Sequence, residues 1–197
     1  MNFNKILIIM VIVVVAFTAV NIFMTLSNRL QVETVSYESE YEYDTEGTVI
    51  MRSIMLLKFD KPSQIEQFLG QFDKDKETKI SEFQQSVDQI SADLPRSMVV
   101  SDFASTATQI ASDRVEVEEY SVIKGFASVE NGQINTSIGD LNIDLQDDSK
   151  LTFLLPPNSE TLSVDPEPTY SPQSNIYIWE GTGEIKFPEV IFTVEGG

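Results

Sequence analysis

From Ile6 to Leu26 the chain reads ILIIMVIVVVAFTAVNIFMTL, a run without charge whose polar members are Thr18, Asn21 and Thr25. As a helix rising about 1.5 Å per residue it would span about 31 Å, against a bilayer hydrocarbon core of about 30 Å. A helix packed on a soluble core carries a polar stripe, whereas Ile6 to Phe17 is apolar on every side. The run therefore predicts one transmembrane anchor over residues 6–26. It exceeds the usual apolar region of a secretory signal, and the nearest small-residue site, Ala16-Phe17-Thr18, lies inside it, so the anchor is expected to stay attached. Lys5 precedes the run and Arg29 follows it. The head, residues 1–5, is too short to be a domain. It is placed in the cytoplasm, with residues 28–197 outside the plasma membrane in single-pass topology. Asn21, near the outer end, is expected to reach interfacial water rather than another helix.

Charge bounds the partners of the outer part. The chain carries 31 acidic and 13 basic side chains, a formal net charge of −18, and Lys5 is the one basic group ahead of the run. Such a surface repels nucleic acid and anionic lipid headgroups. The chain has no Cys and no His. Disulfides are excluded, as are thiolate and imidazole ligands for zinc, copper or haem. Cys nucleophiles and every His-dependent triad go with them.

Periodicity organises residues 28–197 into a mainly β (α+β) domain. Val32, Val35, Tyr37, Tyr41 and Tyr43 punctuate one strand and Val49 to Phe59 forms another, with Asp44-Thr45-Glu46-Gly47 supplying the turn. Pro62 opens a helical stretch with Ile65, Phe68, Leu69 and Phe72 on one face. A second carries Ile80, Phe83, Val87, Ile90 and Leu94 and stops at Pro95. Together they predict a helical hairpin inserted over about 62–94. Strands are then expected over Val99–Ile110 and Val115–Val129, with Asn131-Gly132 the strongest hairpin signal. Further strands are expected near Ile134–Ile138, Leu151–Leu155, Leu162–Val164, Ile176–Trp179 and Phe187–Val194. Five of the eight prolines fall between 156 and 172, which limits that segment to extended connection and short edge strands. The architecture implied is a β-sandwich-like domain with a helical insertion.

Candidate sites are few. Asp73, Asp75 and Glu77, with Ile80 at the apolar position, resemble the start of a calcium-binding EF-hand loop between helices. Thr78 stands where that loop turns on Gly, and Gln84 where a bidentate Glu should close it. The competing reading is a solvated turn. Asp144, Asp147 and Asp148, near Asp140, form a second acidic cluster that could hold calcium weakly or simply be a polar turn. Calcium is the one cofactor with any support. No glycine-rich phosphate loop exists, and Arg96-Ser97-Met98 lacks the Gly and Pro that surround the nucleophile of membrane signal peptidases. Paired carboxylates about 5–10 Å apart would permit glycoside hydrolysis, a geometry no sequence reveals. No catalytic residue is assigned. Asn135-Thr136-Ser137 is a formal glycosylation sequon, and Trp179 is expected in the core.

The second half carries a longer pattern. Gly125-Phe126-Ala127 is followed by Gly139-Asp140, by Leu151-Thr152-Phe153-Leu154-Leu155-Pro156, and by Pro166-Glu167-Pro168. Trp179-Glu180-Gly181 and Pro188-Glu189-Val190-Ile191-Phe192 complete it. In this order the chain resembles, over about residues 115–193, an uncharacterised archaeal family of membrane-anchored extracytoplasmic β domains. It is similar also to the outer parts of archaeal membrane-bound regulators. The resemblance implies an archaeal cell-envelope protein and supplies no catalytic residues. The regulators carry a cytoplasmic DNA-binding portion that a head of a few residues does not provide, so direct signalling of that kind is not expected. The expected function is a non-enzymatic binding or accessory module for an envelope protein or polymer. The alternatives are a self-associating envelope or filament component and, third, a carboxylate-dependent hydrolase.

Overall fold

The computed structural model describes residues 32–92 and 94–194. The expected head and anchor, residues 1–26, lie outside the described residues. Within those residues no helix is long and apolar enough to cross a membrane.

Alternation of apolar and polar side chains along β1 (Val32–Tyr43) and β2 (Val49–Phe59) makes the first hairpin. Tyr37, Tyr41, Tyr43, Met51, Met55, Leu57 and Phe59 are all buried on one face. The Asp44 carboxylate closes the turn by accepting from the backbone N–H of Glu46 (2.8 Å) and Thr48 (2.7 Å). The predicted insertion follows: a 3-10 turn at Pro62–Gln64, α1 (Ile65–Leu69), a second 3-10 turn at Gly70–Phe72, and α2 (Lys76–Ser91). The second helix ends short of Leu94, which lies beyond its C-cap at Ala92.

Eleven further strands complete the described chain. They are β3 (Val99–Ala111), β4 (Arg114–Lys124), β5 (Ser128–Glu130), β6 (Gln133–Asn135), β7 (Asn142–Leu145), β8 (Lys150–Leu154), β9 (Ser159–Asp165), β10 (Tyr170–Gln173), β11 (Ile176–Glu180), β12 (Gly183–Lys186) and β13 (Glu189–Val194). A seven-stranded sheet has the order β10-β11-β8-β1-β2-β4-β3, antiparallel except for the parallel β1–β8 pair. A four-stranded sheet, β5-β6-β13-β9, and a ribbon, β12-β7, complete the described set.

One core joins the layers. Towards β3, Phe83 of α2 stacks on Phe103 (4.5 Å between centroids), while Phe68 packs against Phe59 and Phe72. Towards β8, Tyr41 packs between Phe153 (5.3 Å), Phe187 (5.6 Å) and Phe126 (6.0 Å). Each such ring, fully buried, contributes about 1.5–3 kcal/mol. The helices and the smaller sheets thus share one face of the large sheet. The molecule is mainly β, with a large sheet and two short α-helices among the described residues.

The expected strand Val115–Val129 is broken. Arg96 draws the carbonyls of Gly125 and Phe126 to its guanidinium, and Phe126 and Ala127 turn into the core. The Asn131-Gly132 hairpin forms as predicted, with positive φ at both residues (53° and 79°) joining β5 to β6. The expected strand at Ile134–Ile138 shortens to β6, which ends at Asn135; Thr136 beyond it bonds Val190 of β13 through both its backbone N–H and its hydroxyl. The proline-rich segment holds β9 and β10, and both are edge strands as the prolines require. The strands β7 and β12 have no counterpart in the sequence reading. Asp144 therefore lies inside a strand rather than in an acidic turn.

Candidate functional site: the open face of the large sheet

Because side chains alternate along a strand, burying Tyr37, Ser39, Tyr41 and Tyr43 turns Glu38, Glu40 and Glu42 to the opposite face. On β2 the same rule brings Arg52 and Ile54 to that face between buried neighbours. Arg52 Nη1 donates to Glu40 Oε1 at 3.1 Å and to Glu42 Oε2 at 3.0 Å. Its guanidinium lies 6.0 Å from the centroid of the Tyr120 ring, contributed by β4. The hydrogen bond it donates to Glu42, reinforced by the charges of Glu42 and Glu40, raises the Arg52 pKa above its ordinary value. Farther along, Lys150 of β8 pairs with Glu38 at 3.1 Å.

These pairs are partly exposed, so each contributes at most about 1 kcal/mol to stability. Their effect is geometric, because they hold long side chains in fixed positions across four strands. Arg52, Ile54, Glu118, Tyr120, Thr106 and Lys150 line a shallow trough of about 520 Å³. Ile54 is 48% exposed at its floor, a large apolar side chain among charged neighbours. Ile178 is buried on this same face, opposite Tyr170 in the β10–β11 register, and extends an apolar strip to one side. Carboxylates outnumber cations in the trough, so it suits a partner with basic and apolar groups.

A second cleft, of about 400 Å³, lies at the end of α2 beside Asp88, Ser91 and Arg96. The Arg96 guanidinium turns away from it into the protein. Nε donates to the carbonyls of Gly125 and Phe126, both at 3.1 Å, and Nη2 to those of Phe126 (2.6 Å) and Ser137 (2.5 Å). Desolvation lowers its pKa. Arg96 staples two loops and leaves little for a ligand.

Of the sequence-predicted acidic residues, Asp75 and Asp144 have structural partners. Asp75 is the N-cap of α2: its carboxylate accepts from Thr78 N at 2.9 Å and from Thr78 Oγ1 at 2.6 Å. The Thr78 hydroxyl bond holds the Asp75 carboxyl below the usual carboxylate range. Asp73 ends the preceding 3-10 turn and Glu77 sits in the first turn of α2. Asp144 accepts from Gln146 Nε2 at 3.0 Å, while Asp147 and Asp148 lie in the turn before β8. Among the described residues, no three Asp or Glu side chains are grouped to hold a metal ion. The sequon is also built in. Asn135 Nδ2 donates to Glu189 at 3.0 Å, and Thr136, with no exposed surface, accepts from Val190 N at 2.8 Å. Trp179 is buried as expected, its Nε1 donating to Pro166 O at 3.0 Å.

Fold and site together define a mainly β domain with one covered and one open sheet face. Residues 32–193 match the family model described as a domain of unknown function, DUF4897, and the chain belongs to that family. The match starts well ahead of the 115–193 stretch that carried the resemblance and takes in the first hairpin and the helical insertion. None of the curated proteins matches the sequence. Among solved structures the chain is similar to a candidate nutrient binding protein of Legionella pneumophila, at 11% identity and a TM-score of 0.44, covering 82% of this chain and 67% of that one. A likeness at that score carries no argument about ligand or fold.

Proposed function

We propose that the chain is a membrane-anchored archaeal cell-envelope protein that binds another envelope protein or polymer, without catalysis, on the open face of its large sheet. In this reading residues 6–26 hold it in the plasma membrane, with residues 1–5 inside and 28–197 outside. The observation that carries it is the trough in which Arg52, fixed by Glu40, Glu42 and Tyr120, borders the exposed Ile54. An apolar side chain ringed by fixed charged and aromatic groups has the make-up of a small binding patch with a polar rim. Pinned side chains have less freedom to lose on binding, which favours a partner. No cofactor and no nucleic acid enter the proposal.

The test places a photo-crosslinking residue at Ile54 of the chain in its native membrane. One reproducible foreign partner is expected, with its recovery falling about tenfold, ~1.4 kcal/mol, when a neighbouring contact is removed by Glu118→Lys. Crosslinks indistinguishable from those of a probe on the covered face, or a specific turnover by the purified chain, would overturn it.

A further inference from the structure

β3 is the outermost strand of the seven-stranded sheet on the side away from β10. Its first half is guarded by α2. Gln84 Oε1 accepts from Val100 N at 2.7 Å, Gln84 Nε2 donates to Met98 O at 3.0 Å, and Lys79 Nζ donates to Ser105 O at 3.0 Å. Lys76 reaches Asp102 at 2.7 Å. Past Ser105 the strand comes to the surface: Thr106, Thr108, Gln109, Ile110 and Ala111 are exposed, Ile110 by 51%.

The Lys79 contact shows which way the edge points. Ser105 turns its carbonyl outward, and by the two-residue period of a strand Ala107 and Gln109 turn their N–H and C=O groups the same way. Soluble proteins protect such an edge with Lys, Pro or inward charges. From Phe103 to Ala111 there is no charge and no Pro, in a chain of net charge −18. The stretch is also complementary to itself. Turned about Ala107, it sets Thr106 against Thr108 and Ser105 against Gln109 of a second copy, and beyond Gln109 the strand bulges. Thr–Thr pairs are favourable across antiparallel strands.

We propose that the β3 edge pairs antiparallel with the β3 edge of a second copy, centred on Ala107. The pairing forms roughly six backbone hydrogen bonds, two at each of three facing positions, and two of them take Ser105 O from Lys79 Nζ, which moves aside. It joins two seven-stranded sheets into one, and the twofold axis perpendicular to the sheet leaves both open faces on the same side. If both copies sit in one membrane, that axis is the membrane normal and the joined sheet lies parallel to the bilayer. Among the charges behind the edge, Glu118 of one copy faces Glu116 of the other, each one strand back. Three strand spacings separate them, about 14 Å, against a screening length of about 8 Å at physiological salt. Salt therefore strengthens this association, the reverse of one held by ion pairs.

The chain has no cysteine, so a disulfide trap has no background. Thr106 and Thr108 of facing copies form non-hydrogen-bonded pairs with Cα atoms about 4.5 Å apart, within disulfide reach. The full-length chain carrying Thr106→Cys and Thr108→Cys is expected to oxidise mainly to a covalent dimer, and Ile54→Cys is not. Sedimentation of the unmodified chain should show dimers that tighten roughly tenfold when salt rises from about 0.02 M to about 0.5 M. Ala107→Pro removes an outward N–H and no ladder bond. It should keep the melting temperature within a few degrees while abolishing the dimer. A chain that is monomeric at high salt and untrapped overturns the proposal, as does an Ala107→Pro chain that still dimerises. Capture of a foreign strand by the edge of a monomeric chain also overturns it. Crosslinking at Ile54 is independent of all of these outcomes.

Discussion

Gly47 and Gly132 have almost the same backbone, φ +78° and +79°, and very different surroundings. A Cβ at Gly132 would meet nothing within 4 Å, whereas at Gly47 it would stand 2.4 Å from the Ala127 carbonyl oxygen. A left-handed conformation costs a non-glycine residue about 1–2 kcal/mol wherever it occurs. Gly132→Ala should therefore cost about that and no more. Gly47→Ala must also push back a backbone segment whose Ala127 N–H donates to Gly47 O at 3.0 Å, adding at least about 2 kcal/mol. Melting of the full chain should fall by a few degrees for the first variant and by two or three times as much for the second. Equal drops would show that the Ala127 segment yields freely. Arg52 illustrates what a sequence hides at this scale. It reads as an ordinary solvent-facing strand residue, because its Glu40 and Glu42 partners are 12 and 10 residues away and its ring partner, Tyr120, is on a later strand.

At the scale of elements, the hairpins with turn chemistry were legible. Asp44 to Gly47 and Asn131-Gly132 encode their turns locally, and the helices announce themselves by apolar spacing. The ribbon β7–β12 was not, since Asn142 to Leu145 and Gly183 to Lys186 are short and carry acidic or Gly residues that read as turn. Pairing with each other stabilises them, and that information is not local. Gln84 shows the same limit from the other side. In sequence it is the residue that fails to complete a calcium loop, while in the fold it clips the edge of β3 by bonding Val100 N and Met98 O together. Removing the clip leaves a backbone donor and acceptor half-buried and unpaired, a cost of about 1–3 kcal/mol. Gln84→Leu should therefore lower stability by that amount and accelerate hydrogen exchange at Val100 well beyond the change at Ile123, its neighbour on β4. Uniform acceleration along β3 and β4 would mean that the side chain supports the whole sheet rather than the edge.

The whole molecule couples its core to pH through tyrosine. Tyr37, Tyr41 and Tyr43 lie on one strand, all with their rings in the shared core. Burial pushes each phenol above its ordinary value, and for Tyr37 the charge of Asp144 adds to the effect. The folded chain thus holds three phenolic protons more tightly than the unfolded chain, in which they leave near pH 10. The stability linked to them is fully present below about pH 10 and falls above it, by about 1.4 kcal/mol per tyrosine for each pH unit. Three together remove about 4 kcal/mol per unit, against a total of about 5–15 kcal/mol for a domain of ordinary stability. Repulsion within a chain of net charge −18 acts in the same direction. The expected result of alkaline titration is that three of the six tyrosines ionise only in the transition that abolishes the β-sheet circular dichroism. Phenolate absorbance and ellipticity followed on one sample check this directly. If all the tyrosines ionise while the ellipticity holds, solvent reaches the rings of β1, and the covered face of the large sheet is not closed by its helices and smaller sheets.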